Sequence, residues 1–345
     1  NMSPKNLNVS NKTHKNLLRI LRNKRIFKIY RKFEKIVNLD QNFIVGVSGG
    51  PDSLALCFLT KIYSIKKSLN PYYFIVDHRL RKNSSIEAKS VKNLLKKNNI
   101  NLDILRWYGK KPKNNIQSVA RDKRYSLLIN QAEKLNIKSI LTGHHIDDLY
   151  ENFFIRISRG SGLNGLVSFG EKTKRQKINI LRPLIGFEKK DLKYVTLKVF
   201  KSYIEDPFNQ DDKFKRVRIR KLIKNLQNDG LDKNKFLLTI KNLTDSNETI
   251  KFYVEKNLTD NSFFHQGKNK VVLNEEFFSQ AHEVIFRSLT EIIKFVGNKH
   301  FSTRGKKVDN IINQLKGETK FPLKLTLGNC IIQKVKYSVI IVKEH

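Results

Sequence analysis

Cysteine is scarce: only Cys57 and Cys330 occur among 345 residues. Two thiols so far apart cannot frame a disulfide scaffold, a four-thiolate zinc site or a cysteine-held iron–sulfur cluster. Long apolar runs are missing as well. No window approaches the ~18 residues of a membrane-spanning helix, and no apolar core of a signal peptide follows the N-terminus, so a cytosolic chain is expected. Acidic residues are few, 31 against 68 Lys and Arg, which leaves a net charge of +37. Such a charge repels itself unless a polyanion is its partner. Nucleic acid is the first candidate and an acidic membrane surface the second, although abundant Lys, Asn and Ile also fit the composition of an AT-rich genome.

With 39% apolar and 29% charged residues the chain has the balance of a globular protein, and its length suggests two domains at ~150 residues each. Residues 1–33 contain no Asp or Glu, and Lys15 to Phe33 mixes Arg19, Arg22, Arg25 and Arg31 with apolar residues in the manner of a basic amphipathic helix. From Phe43 onward, short apolar runs at Phe43–Val47, Tyr72–Val76, Leu102–Trp107 and Ser139–Thr142 alternate with helical periodicity. Leu54, Phe58, Ile62, Ile65 and Leu69 share one helical face, and Ser84 with Glu87 reads as a capping box. Four rounds of strand and helix predict an α/β fold, a doubly wound parallel sheet. Beyond about Asp206 basic helical sequence takes over. From Val271 a helical stretch, Phe277–Val296, and a strand-like end, Leu325–Leu327 and Cys330–Val342, predict a small α+β domain.

The strongest local signal is Ser48-Gly49-Gly50-Pro51-Asp52-Ser53, between the first strand and the first helix after it. Glycines let backbone amides approach an anion, and a helix N-terminus adds partial positive charge. Ser48 and Ser53 offer hydroxyls, and Asp52 next to a phosphate implies a bridging cation, Mg²⁺. A plain turn capped by Asp52 or Ser53 is the alternative. No Gly-Lys-Ser/Thr follows, so the loop is not a γ-phosphoryl-transfer motif. Gly160, Gly162 and Gly165 match a dinucleotide fingerprint by letters, but they follow a predicted helix, Asp147–Ser158, where a strand is required.

The second signal is Gly143-His144-His145-Ile146-Asp147-Asp148, after the fourth strand, with Glu151 one turn on. Two imidazoles and three carboxylates can act as acid and base, bind a metal or grip an ammonium; capping by Asp147 and Asp148 beside solvent-facing histidines is the plain alternative. Zinc is disfavoured because the histidines lack i, i+4 spacing. Third come basic stripes: Arg121 with Arg124, and Arg216, Arg220 and Lys224 beside Ile219, Leu222, Ile223 and Leu226. These suit a phosphate backbone or merely a solvated face. Tyr125 could stack on a base or pack half-buried.

Together these residues resemble the tRNA(Ile)-lysidine synthetase family of PP-loop ATP pyrophosphatases. The resemblance rests on Ser48–Ser53, Val76-Asp77-His78-Arg79-Leu80-Arg81, Ala120-Arg121 with Arg124-Tyr125, and Gly143–Asp148. It continues through Arg159-Gly160-Ser161-Gly162-Leu163, Arg182-Pro183-Leu184, Asp206-Pro207 with Asn209, and Arg216 to Arg220. A fainter match is Thr326-Leu327-Gly328 with Cys330. It implies an adenine nucleotide alpha hydrolase-like fold and an ATP-dependent ligase that joins L-lysine to C2 of the wobble cytidine of a CAU-anticodon isoleucine tRNA. An adenylated base is the intermediate, and AMP and pyrophosphate leave. The resemblance further implies that Ser48, Gly49, Gly50, Pro51, Asp52 and Ser53 hold the ATP pyrophosphate, with Asp52 on Mg²⁺ and counted as catalytic with His144 and Asp148. Asp147 and Glu151 would be acidic neighbours of the substrate, and Arg121, Arg124, Arg216 and Arg218 would meet RNA or phosphate. Relatives suggest a homodimer. The expected domains are a basic extension (1–35), the ATP-binding catalytic domain (36–225), a helical connector (226–265) and a tRNA-binding C-terminal domain (266–345). The sequence departs from the family where Leu149, Asn152 and Arg79 replace the usual Gln, Thr and Gly. Its tail is also shorter than in longer family members. Base thiolation by a related enzyme and non-enzymatic RNA binding are the alternatives.

Overall fold

The computed structural model describes residues 15–80, 83–109, 112, 116–205, 215–265, 269–299, 305–317 and 323–344. Arg81, Asp206, Pro207 and Asn209 lie outside the described residues. Two compact units are present, residues 1–237 and 238–345. Among the described residues no helix is long and apolar enough to cross a membrane.

The first unit is built on β1 (Phe43–Val47), β2 (Pro71–Asp77), β3 (Leu102–Arg106) and β4 (Ser139–Thr142), the four apolar runs expected to be strands. Two further strands, β5 (Lys172–Arg175) and β6 (Ile178–Leu181), complete a sheet of order β3-β2-β1-β4-β6-β5. All neighbours run parallel except β5, which pairs antiparallel with β6. Phe43, Ile44 and Val45 are fully buried, as a central parallel strand covered on both faces requires. From β1 the chain crosses to β2 on one side and pairs with β4 on the other. The carboxyl ends of β1 and β4 therefore open a crevice where the strand order reverses.

Helices flank the sheet. The first, α1 (Lys24–Ile36), buries Ile26, Ile29, Tyr30 and Phe33. The single helix expected from Lys15 to Phe33 is interrupted: residues 15–20 are helical, 21–23 turn, and Asn23 Oδ1 caps α1 by accepting from the Ile26 amide at 3.1 Å. After β1 comes α2 (Pro51–Lys67), buried all round from Leu54 to Leu59 and so more enclosed than one apolar face would make it. Helix α3 (Ser84–Lys96) does not form the expected capping box. Its Ser84 lies inside the first turn and donates instead to Asp77 Oδ1 at 2.8 Å, while Ser85 donates to Asp77 Oδ2 at 2.5 Å. These bonds, with the Arg79 amide at 2.9 Å, satisfy a carboxylate that is 2% exposed. Burial alone would raise the Asp77 pKa, but the hydroxyl and amide donors outweigh it and hold the group below the usual carboxylate range. Helices α4 (Ile116–Lys134), α5 (Ile146–Ile157), α6 (Leu163–Val167), α7 (Lys189–Phe200) and α8 (Lys215–Asn228) follow.

Arg79 stands where the family commonly has glycine, and its φ of +53° explains that preference. A side chain in left-handed backbone costs ~1 kcal/mol. Arg79→Gly is expected to stabilise the first unit by up to ~1 kcal/mol, less the entropy glycine adds to the unfolded chain. Urea unfolding measures this, and a lowered midpoint would contradict it.

The second unit has a fully antiparallel sheet of order β7-β8-β11-β10-β9, formed by β7 (Ser262–Phe264), β8 (Lys270–Leu273), β9 (Leu323–Leu327), β10 (Cys330–Val335) and β11 (Ser338–Lys343). Its core joins Val271, Leu273, Ile332 and Ile341 to Leu289 and Ile292 of α10 (His282–Val296) and Val308 and Ile312 of α11 (Gly305–Lys316). The stretch read as one helix from Phe277 splits, with a 3₁₀ turn at Glu275–Phe278 preceding α10. Asn274 starts the 3₁₀ turn: its Oδ1 accepts from the Phe277 amide at 3.1 Å, and its Nδ2 donates to Asn261 Oδ1 at 3.1 Å. Asn261 ends the helix Lys233–Asn261, here α9.

Candidate active site

Gly49 turns the chain out of β1 with φ +85°, and a Cβ there would lie 2.7 Å from Val91 Cγ2. Only glycine fits on both counts. Gly50 is the N-cap of α2 and Pro51 its first residue, which suits a position whose N–H has no helical acceptor. No side chain caps this end, so the dipole and amides of a 17-residue helix face the crevice. Ser53, 4% exposed, closes the loop from beneath: its hydroxyl donates to Gly50 O at 3.0 Å and accepts from the Ser48 amide at 3.1 Å. The Ser48 hydroxyl, 3.1 Å from that of Ser53, is the more exposed of the two. Ile204 donates to Gly49 O at 3.0 Å, and Thr196 of α7 donates to Pro51 O at 2.6 Å, so the loop is held from outside as well.

The loop after β4 comes against it. A Cβ on Gly143 would fall 2.9 Å from Ser53 Cα and N, so glycine permits the close approach. That approach brings His145 to Asp52, Nε2 to Oδ2 at 3.5 Å. The same Nε2 is 3.7 Å from Asp148 Oδ2, and Nδ1 is 3.8 Å from Asp147 Oδ2. His145 is also the N-cap of α5: Nδ1 accepts from the Asp147 amide at 3.2 Å, and Asp148 Oδ2 accepts from the His145 amide at 3.0 Å. The cap is therefore made by His145 and Asp148 together, not by Asp147 and Asp148 as in the plain alternative. Neither histidine faces solvent. His144 has its Nδ1 2.9 Å from Thr142 Oγ1 and its ring edge-on to Phe169 at 5.1 Å.

The two imidazoles titrate in opposite directions. Burial lowers His144 to about 3, and Arg121, Arg182 and Arg124 add to the effect against Asp148, so this ring is neutral. Burial also opposes a charge on His145, but its hydrogen bond to Asp52 and the charges of Asp148, Asp52 and Asp147 raise it to about 9. The Nδ1 cap favours the neutral ring, yet one cap is worth only ~1 kcal/mol, against three nearby carboxylates. Asp148 is held below the ordinary carboxylate range: burial alone would raise it, and His145, His144 and the amide of His145 outweigh that.

A stability profile follows. The folded His145 binds its proton more tightly than the ordinary value of 6.5, so its contribution is complete below pH 6.5 and fades as the pH rises through 9. Without nucleotide, the wild-type Tm is expected to fall across this window more steeply than that of His145→Gln, by at most ~3 kcal/mol. Parallel profiles would show that the ring is not charged.

Glu151, 4% exposed, lies one turn along α5, and Arg220 of α8 donates its Nε to Glu151 Oε1. Arg216 and Arg218 of α8 are exposed, and Val217, Ile219 and Ile223 pack inward. Leu222, 46% exposed, does not share the apolar face with them. Arg121 lies over Tyr125 at 5.6 Å and Phe169 at 5.5 Å. Arg124 is exposed, whereas Tyr125 is 3% exposed beneath the arginines and presents no face to a base. Structure thus brings Ser48–Ser53, Asp147 and Asp148 together, and adds His145 to them. His144 stands one residue away with Phe169, and Glu151 and the α8 arginines form a neighbouring group.

Residues 22–226 match the PP-loop domain family ATP_bind_3. The tRNA(Ile)-lysidine synthase of Wolbachia pipientis wMel is 31% identical over 319 residues, 90% of this chain and 74% of that one. This chain belongs to the tRNA(Ile)-lysidine synthase family of PP-loop enzymes. The family's enzyme from Orientia tsutsugamushi (strain Boryong) is 33% identical over 313 residues, 87% of this chain and 69% of its own. Among solved structures, the U34-tRNA thiolase NcsA from Methanococcus maripaludis superposes with a TM-score of 0.57 at 15% identity, covering 64% of this chain and 79% of that one, a likeness of fold. Membership of this family makes Ser48–Ser53 part of an ATP-binding domain. The turn that Gly49 and Gly143 shape lies within the matched domain. The sequence offers His145 beside His144 as a candidate, but the resemblance assigns it no role; its signal is its position just before α5, three residues ahead of Asp148.

Proposed function

We propose that the chain ligates L-lysine to C2 of the wobble cytidine of a CAU-anticodon tRNA(Ile), with ATP cleaved to AMP and pyrophosphate. The observation that carries this reading is the state of Asp52. One oxygen lies toward His145, and the other, Oδ1, is buried with no hydrogen-bond partner at the mouth of an uncapped helix. A buried lone carboxylate oxygen beside an anion site is the donor a divalent cation needs. No cluster of three metal-ligating side chains occurs among the described residues, and this fits Mg²⁺, which takes one or two carboxylates and completes its shell with phosphates and water. Bound there by Asp52, Mg²⁺ would supply positive charge to the departing pyrophosphate.

The remaining roles belong to the chain's own groups. Backbone amides of Ser48–Ser53 and the α2 dipole hold the pyrophosphate unit of ATP. The C2 oxygen attacks the α-phosphorus, forming an O–P bond while the bond to pyrophosphate breaks. The lysine ε-amine, having lost a proton, then forms a bond to C2, and AMP leaves with the former C2 oxygen. An amide-like oxygen is a poor leaving group, and adenylation makes it a good one. Asp147 and Asp148 attract the lysine cation before it reacts, and its proton passes to solvent, because His144, lowered to about 3, is too weak a base to take it and lines the site as a neutral ring. Glu151 sits behind them, holding α8 through Arg220. Arg121, Arg124, Arg216 and Arg218 meet RNA phosphates, and the second unit grips the tRNA.

Thiolation is the weaker reading: Cys57 and Cys330 are both fully buried and burial raises both thiols, to about 11 for Cys330, so neither is a ready thiolate. Product analysis with radiolabelled ATP separates the readings. Pyrophosphate is expected only with the tRNA present and free AMP only after lysine is added. ADP with phosphate, or AMP release that ignores lysine, would contradict the proposal.

A further inference from the structure

Nothing above uses the hairpin of β5 and β6. Between residues 172 and 177 it carries Lys172, Lys174, Arg175 and Lys177, with no acid among them. Lysines on an edge strand have an ordinary explanation, since they discourage pairing with another chain. Arg175 does not fit it. Its guanidinium lies over the Tyr125 ring at 4.5 Å, and Arg121 faces the same ring at 5.6 Å. Arg121 and Arg182 in turn share Phe169, at 5.5 and 4.5 Å, and Phe169 touches His144 at 5.1 Å. A row of three guanidinium groups and two rings thus runs from the candidate active site to the sheet edge. The ion pair of Arg175 with Asp122 is weak, at 4.0 Å with the Asp122 side chain 67% exposed.

Convergent cations are held here by structure. Arg182 Nη1 donates to Gly170 O at 2.8 Å and to Thr173 Oγ1 at 3.1 Å, tying β5 to the segment that follows β6. Strand alternation then places Thr173 and Arg175 toward that row, with Lys172 and Lys174 exposed on the alternate positions. Packing like charges together is unfavourable unless a shared anion offsets it.

We propose that this hairpin is an RNA-docking surface, on which Arg175, with Arg121 across the Tyr125 ring, takes backbone phosphates flanking the reacting nucleotide. The inference rests on the tRNA reading above. The phosphates of ATP are not the anion meant, because the glycine loop holds them.

The test is the salt dependence of binding to an anticodon stem-loop RNA bearing CAU, by fluorescence anisotropy on the full chain. Arg175→Ala removes the hairpin's guanidinium from the row, and Lys172→Ala/Lys174→Ala removes the exposed side chains on the alternate positions. The control is Lys96→Ala/Lys97→Ala, at the end of α3 that leads into β3, the strand at the opposite edge of the sheet. Each lost phosphate contact lowers the slope of log affinity against log salt by about 0.7–0.9. A slope lowered by about 0.7–0.9 in Arg175→Ala, with affinity down severalfold and both lysine pairs within twofold, supports the proposal. Equal effects in Arg175→Ala and the control overturn it and leave the tRNA reading standing. Wild-type protein that fails to bind the stem-loop overturns both.

Discussion

Asp52→Asn is expected to lower tRNA- and lysine-dependent pyrophosphate release by about a thousandfold or more, with the fold intact. The substitution keeps the shape of the side chain and an oxygen for His145 Nε2, now 3.5 Å from Asp52 Oδ2. It removes the charge from Oδ1, the buried oxygen without a partner. A preorganised group facing developing charge is worth ~3–4 kcal/mol, two to three orders of magnitude in rate, and losing a cation's ligand adds to this. Circular dichroism and Tm check that the variant is folded, and steady-state pyrophosphate release measures the effect. His145→Gln acts on the same carboxylate less directly and is expected to cost less. A variant of Asp52 with near wild-type turnover would remove the basis for placing the cation and the leaving group at this loop.

The second large effect is on stability. Arg220→Ala leaves Glu151, 4% exposed, without its partner guanidinium between α5 and α8. Breaking a fully buried ion pair costs 3–5 kcal/mol, and because the Arg220 side chain is 37% exposed, ~1–3 kcal/mol is the expected loss here. Burial already raises the Glu151 pKa against the pull of Arg220, and removing the arginine raises it further. Acidification then protonates the stranded carboxyl, so the gap between wild type and variant narrows as the pH falls. Glu151→Gln/Arg220→Ala should recover part of the loss. Urea unfolding of the three proteins at two pH values tests this; a gap that does not narrow in acid would contradict a stranded, buried carboxylate.

The residues differ in how much of this was legible before the structure. The four apolar runs became strands because buried parallel strands carry a continuous apolar signal. Strands β5 and β6 lacked that signal. Lys172–Arg175 has no apolar residue; it pairs with β6 as a hairpin, and Arg182 reaches back to Thr173 from nine positions away. The glycine loop was readable because φ +85° at Gly49 and the close approach at Gly143 demand glycine. Which of two adjacent histidines meets Asp52 was not. Successive residues point in different directions as the chain leaves β4, and only the register of β4 against β1 turns His145 to Asp52 and His144 to Phe169. The ion pair of Glu151 with Arg220 spans 69 positions and leaves no local trace.

The most direct test is the identity of the modified nucleoside. Purified protein, ATP, Mg²⁺ and L-lysine are incubated with CAU-anticodon tRNA(Ile), and the tRNA is digested and its wobble nucleoside weighed by mass spectrometry. The account predicts a cytidine heavier by one lysine less one water, absent without ATP and unchanged by a sulfur donor. Unmodified cytidine under these conditions, or a nucleoside carrying sulfur, would contradict it.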